Sequence, residues 1–422
     1  MRRSRFAVLI PLLLVPRAAS PQGDPLGPEF RVNNFTPLQQ AYSSVASGGS
    51  GFIVVWESLN ADGSAFGVSG QRYDSSGSPL GTEFRVNTYT TSSQRTPVVS
   101  ANASGNFVVA WSSYEQDGSY WGIFGQRFAA SGAPLGPEFR VNTYITGHQI
   151  DPVVAVDPSG GFLVAWYGGP PGPPQPGDPF NVFAQRYDSS GAPAGPEFYL
   201  SAYTTSGQAS PSVAADPSGN FVVVWSGAYP GGSSSEVFGR RLAGSGAPLG
   251  PEFRVNTYTS YRQDSPAVAT DPAGNFVVMW TSQYQEGGFV TKDGVFGQRY
   301  ASSGIPVGPE FRVNTYTTGY QNRPVVAADA AGHFAVVWSD WSQDGSDLGV
   351  FGQRYSSLGA PSSPEFRVNT QTYSSQRAPS VASDAAGNFL VTWHGNDLIN
   401  DDVLGQRYGG IFPVELMDFG VE

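Results

Sequence analysis

The stretch FRVNTYTTSSQRTPVVSANASGNFVVAWSSYEQDGSYWGIFGQRFAASGAPLGPEF, residues 84–139, runs from one Glu-Phe to the next and decides the fold. Phe84-Arg85-Val86 alternates and reads as a strand. Asn87 to Thr96 is polar. Pro97 to Ala101 predicts a second strand, with proline tolerated at its first residue. Asn102-Ala103-Ser104-Gly105 predicts a hairpin turn, written Asp-Pro-Ser-Gly at Asp157 and Asp216. Phe107 to Trp111 and Gly122 to Phe128 complete the set. All four segments are short and rich in Val, Phe, Tyr or Trp, and helical periodicity is absent.

The same text returns with a period of 54–59 residues. Phe30, Phe84, Phe139, Phe198, Phe253, Phe311 and Phe366 mark the copies, each preceded by Glu. Gln40, Gln94, Gln149, Gln208, Gln263, Gln321 and Gln376 follow ten residues later. Trp56, Trp111, Trp166, Trp225, Trp280, Trp338 and Trp393 follow at 26 or 27. A fixed period of this size marks a repeat architecture whose units bury their faces against neighbours. Seven units of four strands predict an all-β fold, a seven-bladed β-propeller of four-stranded antiparallel blades. A linear β-solenoid is the competing architecture, but its coils are usually much shorter. The chain starts with a lone strand, Phe30-Arg31-Val32, and its last strand is Val403–Tyr408. The ring is therefore expected to close by the N-terminal strand joining the last blade, with residues 29–33 beside residues from 379 onward.

Two features predict packing. The Phe-x-Val-x-Trp alternation, as in Phe107, Val109 and Trp111, puts three large side chains on one blade face. An Arg–Glu spacing of eleven recurs at Arg72/Glu83, Arg127/Glu138, Arg186/Glu197, Arg241/Glu252, Arg299/Glu310 and Arg354/Glu365. It predicts cross-strand ion pairs, with Arg407 left for Glu29.

Arg2, Arg3 and Arg5 precede an apolar run, Phe6 to Pro16, too short to span a bilayer. Ala18-Ala19-Ser20 offers a cleavage site, so residues 1–20 are expected to be a secretory signal peptide. The organisation is then signal peptide 1–20, propeller 21–409 and C-terminal tail 410–422. Localisation is expected to be secreted or at the cell surface. The formal charge is −11, with a single lysine, Lys292, which disfavours nucleic acid and anionic membranes as partners. No later stretch predicts membrane insertion. Cysteine is absent, so packing alone must hold the domain, and the length suffices. The chain is expected to be a monomer.

The units GNFVVVW (Gly219–Trp225), VFGQRY (Val295–Tyr300) and GPEFRVNTYT (Gly250–Thr259) resemble repeats of large secreted bacterial proteins. The resemblance spans residues 25–408. It implies a context of calcium-binding or adhesion modules and brings no defined activity. In architecture the chain is similar to the integrin-α FG-GAP propeller, but the calcium loop of that family is missing. Asp384-Ala385-Ala386-Gly387 lacks the spacing of a sialidase Asp-box. The segment Phe412–Leu416 resembles linkers that precede sorting segments in exoproteins.

Two loop types share one face, the connection between units and the loop after each Trp, and ligands are expected there. Tyr89, Tyr144, Tyr203, Tyr258 and Tyr316, with Phe35 and Gln371 as counterparts, could stack on sugar rings. Gln94, Gln149, Gln208, Gln263, Gln321 and Gln376 could supply amides. The same residues would equally suit packing over the unit junctions. Asp-Gly-Ser at Asp62, Asp117 and Asp344 is a weak calcium candidate and first a turn signal. No cofactor is therefore expected. A Pro-rich excursion, Gly168 to Pro179, and the group His394, Asn396, Asp397, Asp401 and Asp402 vary the post-Trp loops. His148, His333 and His394 lie in separate units. The reading is a non-enzymatic binding or adhesion module for glycan or extracellular protein. The alternative is a polysaccharide-active hydrolase or lyase using loop carboxylates such as Asp340/Asp344 or Glu115/Asp117.

Overall fold

The computed structural model describes residues 25–36, 38–49, 51–170, 179–229, 234–285, 291–345, 347–396 and 400–410. The expected signal peptide, Asp397, nearly all of the tail and most of the Pro-rich excursion lie outside the described residues.

The described chain is all β, with no helix. Unit 1 contains β2 (Gln40–Gly48), β3 (Gly51–Leu59), β4 (Phe66–Asp74) and β5 (Phe84–Arg85), antiparallel in that order and preceded by β1 (Phe30–Arg31). Later units repeat the pattern, their inner strands starting at Gln94, Gln149, Gln208, Gln263, Gly319 and Gln376. The strands form five four-stranded sheets and one of eight. The eight-stranded sheet arises because units 5 and 6 are stitched by a short parallel pairing, Thr291 to Gly319 and Asp293 to Tyr320. Both strands are ten residues long there, long enough to meet.

β1 pairs with the last strand, Asp401–Tyr408, placing Phe30 opposite Gly405 and Arg31 opposite Leu404. The pairing extends through Val32 N–H to Val403 O at 2.8 Å and Leu26 N–H to Arg407 O at 2.8 Å.

The core lies between units. Ile53, Val55 and Val68 of unit 1 pack on Phe107, Val109 and Trp111 of unit 2. Phe52, Val54 and Trp56 pack on Leu390 and Val403 of unit 7. The alternation of β3 thus sends one face to each neighbour. All seven repeated tryptophans are fully buried. Turn chemistry is as expected. Asn102 Oδ1 accepts from Ser104 N–H and Asn106 N–H, both at 3.1 Å. Gly105 takes the positive φ (82°) that the hairpin requires.

The Arg–Glu expectation is corrected. Phe84 pairs with Gly70, so Glu83 continues opposite Gln71, one residue out of step with Arg72 and on the other face. Each arginine instead reaches the next unit's outer hairpin, as Arg72 does to Ala130 O at 2.7 Å and Arg127 to Ser189 O at 2.7 Å. Arg407 reaches Ser75 O and Ser76 O of unit 1. Each glutamate reaches the preceding unit's loop, as Glu138 does to Thr88 N–H at 2.6 Å and Glu29 to Thr370 N–H at 2.7 Å. Both residue types tie neighbouring units together, and none of the expected pairs is an ion pair among the described residues.

Candidate functional site

The inner strands begin earlier than expected, at the buried glutamines, and Pro97 lies inside its strand, Gln94–Ala101. It is tolerated because every inner strand breaks register there, between Ala41 and Ser44 in unit 1 and between Arg95 and Val98 in unit 2. The second residue after each Gln sits at this bulge with positive φ: Tyr42 (49°), Thr96 (50°), Asp151 (50°), Ser210 (51°), Ser265 (50°), Arg323 (53°) and Ala378 (50°). A left-handed non-glycine residue costs about 1–3 kcal/mol, so its surroundings must hold it.

A cross-unit contact does so. The residue after each Trp points to the same side, and in three units its side chain accepts the next bulge's N–H. Glu57 accepts from Thr96 at 2.6 Å, Ser112 from Asp151 at 3.1 Å and Thr281 from Arg323 at 3.1 Å. His394 Nδ1 lies 3.3 Å from Tyr42 N. All seven bulges line one cavity of about 630 Å³, with Glu57 and Arg95 in its wall. Backbone geometry repeats around this cavity while the side chains differ, so a repeat scaffold carries a non-repeating site.

Glu57 is 1% exposed, and burial pushes its carboxyl up to about 7. The Thr96 N–H and the Arg95 guanidinium pull the other way, and Asp151 adds to the rise. Arg95 Nε lies 3.8 Å from Glu57 Oε2, and its guanidinium covers the Phe66 ring at 3.9 Å. The Tyr167 hydroxyl donates to Asp151 Oδ2 at 2.9 Å. In unit 7, beside unit 1, His394 is buried, and burial with the Arg377 and Arg323 charges lowers its pKa to about 3. Arg377 Nε–H donates to His394 Nε2 at 2.9 Å, and Arg377 pairs with Asp401 at 3.3 Å. A neutral imidazole accepts at one nitrogen, so the shorter Arg377 bond fixes the proton on Nδ1. Tyr42 is exposed, with its ring 5.1 Å from that of His394.

Further exposed aromatics stand on the same face. Tyr120 stacks on His148 at 4.8 Å, Tyr261 contacts Tyr284 at 5.0 Å, and Trp341 and Tyr373 rise from the loops of unit 6 and the connection into unit 7. The exposed Leu80, Leu135, Leu249 and Leu358 belong to the hairpins at the opposite strand ends or to the segments leading from them.

The residues singled out in the sequence lie elsewhere. Gln149, Gln208, Gln263 and Gln376 are fully buried and accept the Trp166, Trp225, Trp280 and Trp393 indole N–H at 2.9–3.1 Å. Gln94 and Gln321 accept from Asn87 and Asn314 instead, at 3.1 and 3.3 Å. Tyr89, Tyr203, Tyr258 and Tyr316 are half-buried and Tyr144 is exposed, all outside the cavity lining. Asp62, Asp117 and Asp344 each accept from a buried asparagine, Asn87, Asn142 and Asn369, at 3.1 Å. Among the described residues no group of three or more His, Asp or Glu is placed to hold a metal. Asp340 is fully buried, and burial raises its carboxyl to about 8. Gln321 and the Gln343 backbone favour its charged form, yet neither oxygen has a partner at ordinary hydrogen-bond geometry. Asp340, Asp344, Glu115 and Asp117 do not line the cavity. His333 is tied to Asp329 at 3.0 Å, and Asp402 accepts from Asn33 at 2.7 Å.

Sequence reasoning missed Glu57, Asp151 and Arg323. The signal was present as variation within a strict repeat. The residue after Trp is Ser or Thr in four units but Glu57, Tyr167 and His394 in the others.

No protein-family model matches the sequence, and no curated protein does either. Solved structures match over most of the chain. The β-propeller domain of the trilobed protease from Pyrococcus furiosus matches with TM-score 0.50 and 9% identity, over 92% of this chain and 100% of that one. The polysaccharide lyase Uly1 matches with TM-score 0.54 and 8% identity, over 90% and 91%. The GH93 α-L-arabinofuranosidase of Fusarium graminearum, in complex with arabinobiose, matches with TM-score 0.52 and 11% identity, over 92% and 98%. At such identities the likeness establishes a propeller-type fold. Two of the three proteins are named as carbohydrate-cleaving enzymes, and the expectation of a non-enzymatic binding or adhesion module is corrected on that finding.

Proposed function

We propose that this chain is an exported seven-bladed propeller that cleaves glycosidic bonds of a polysaccharide at the mouth of its central channel. Convergence of seven inner strands on one cavity supports a ring of seven blades. The packing of unit 7 on unit 1, with β1 as the outer strand of the last blade, supports its closure. The basic and then apolar residues 1–20 support export.

The observation that carries the catalytic reading is Glu57, a buried carboxyl in the cavity wall poised at about 7. Hydrolysis and β-elimination both break a bond to a departing sugar oxygen, which needs a proton. An acid with a pKa near the working pH is suited to supply it. In hydrolysis, Asp151 takes a proton from the attacking water as the C–O bond breaks, and the water oxygen ends on the anomeric carbon. In β-elimination no water is consumed: Asp151 takes the proton on the carbon beside the uronate carboxyl, its electron pair forms the C=C bond as the C–O bond breaks, the departing oxygen takes the Glu57 proton, and the product is an unsaturated uronate. The exposed aromatics around the mouth suit the apolar faces of successive sugar rings.

The test is incubation with a panel of neutral and acidic polysaccharides, following reducing ends and ultraviolet absorbance of unsaturated products. Glu57→Gln is expected to abolish cleavage while the protein stays folded. Full activity in that variant would remove Glu57 from the mechanism, and no cleavage of any polymer would remove the enzymatic reading.

A further inference from the structure

We propose that Arg323 makes the site selective for acidic polysaccharide chains, its guanidinium pairing with a carboxylate or sulfate on the sugar. The proposal rests on the reading of the cavity as a glycan site. Four charged side chains line the cavity: Glu57, Arg95, Asp151 and Arg323. Arg95 is engaged by Glu57 and by the Phe66 ring. Asp151 is held by the Tyr167 hydroxyl. Arg323 is exposed, and among the described residues its guanidinium has no carboxylate within ion-pair distance and no hydrogen-bond acceptor. Its backbone is held left-handed at φ 53° by the bond from its N–H to Thr281, so the side chain springs from a fixed point in the wall.

Arg377, in the neighbouring unit, is itself paired with Asp401 at 3.3 Å, and His394 beside it is buried and neutral, so neither offers the Arg323 guanidinium a negative partner. On the other side Asp264, which also feels the Arg323 charge, is paired with Arg262 at 2.9 Å. A chain carrying a net charge of −11 repels polyanions at long range, so a free guanidinium at the mouth gives an anionic sugar a local partner. Glu57 lies in the same cavity wall, so an anion held by Arg323 would bring a glycosidic bond within the enclosure that holds the acid.

The replacement Arg323→Ala is compatible with the fold, because Ala378 occupies the equivalent bulge at φ 50°. Binding is measured in the Glu57→Gln background, so that cleavage does not interfere. The probes are polygalacturonate, dextran sulfate and neutral arabinan. Arg323→Ala is expected to weaken binding of the charged probe by about 10–100-fold, the range of one charge-assisted hydrogen bond, and Arg323→Lys to recover part of it. Loss confined to polygalacturonate assigns a uronate, and loss confined to dextran sulfate assigns a sulfate ester. Unchanged affinity for both, or an equal loss for arabinan, overturns the proposal. Cleavage of arabinan alone would also overturn it while leaving the enzymatic reading intact. Arg323-dependent binding of an acidic polymer without cleavage would sustain it and remove the enzymatic reading.

Discussion

Replacing Glu57 by glutamine separates the acid's cost in stability from its use in chemistry. The shape is nearly unchanged, and the amide oxygen can still accept from Thr96 N–H. Burial raises the Glu57 carboxyl from 4.5 to about 7. The folded state therefore holds this proton more tightly than the unfolded chain does. Below about pH 4.5 both states are protonated, and the acid carries no ionisation penalty. As pH rises to about 7 the unfolded chain ionises first, and stability is lost. The penalty is complete above the folded value, at roughly 3 kcal/mol, from about 1.4 kcal/mol per pH unit of difference. Glutamine does not titrate, so Glu57→Gln is expected to match the wild type at about pH 4 and exceed it by roughly 3 kcal/mol at about pH 8. For a domain of this size, at about 2.1 cal/mol/K per residue, that is roughly 4 °C in Tm. The assay is thermal unfolding of both proteins across this pH range, with polysaccharide cleavage measured in parallel. Wild-type cleavage should fall as pH rises through about 7, because the donor loses its proton. A Tm gap that stays constant with pH, or a variant less stable at high pH, would refute the buried-acid argument.

Trp225→Ala leaves a large void between units 3 and 4 and is expected to cost about 3–5 kcal/mol, read by denaturant unfolding. Deleting residues 25–33 removes β1 and the Asn33–Asp402 bond, and should lower Tm well beyond deletion of residues 411–422; equal losses would argue against β1 completing the last blade. Asp117→Ala frees the buried Asn142 amide and is expected to cost about 1–3 kcal/mol, whereas a calcium chelator should leave the Tm of the wild type unchanged. Tyr120→Ala should raise KM for a long polysaccharide more than it lowers kcat, since this ring stands on the rim and away from Glu57; a fall confined to kcat would contradict that placement.

The sequence by itself determined what depends on neighbours along the chain. Period-two alternation placed Phe107, Val109 and Trp111 on one face, the Asx-Gly turns placed the hairpins, and the lone Phe30–Val32 pointed to the partner it has at Val403–Gly405. The glutamines were legible as a repeated position but not as partners of tryptophan, because that bond depends on two side chains meeting across a strand pair. Tertiary structure alone decided the site. The bulge that turns Thr96, Asp151 and Arg323 into one cavity breaks the alternation from which a strand is read, and brings together residues about one repeat apart. The Arg–Glu spacing misled for a related reason, since a one-residue offset between strands sends two side chains to opposite faces. The acidity of Glu57 is likewise not a property of its neighbours in sequence. It comes from burial against the next unit, and desolvation exists only once the units have packed.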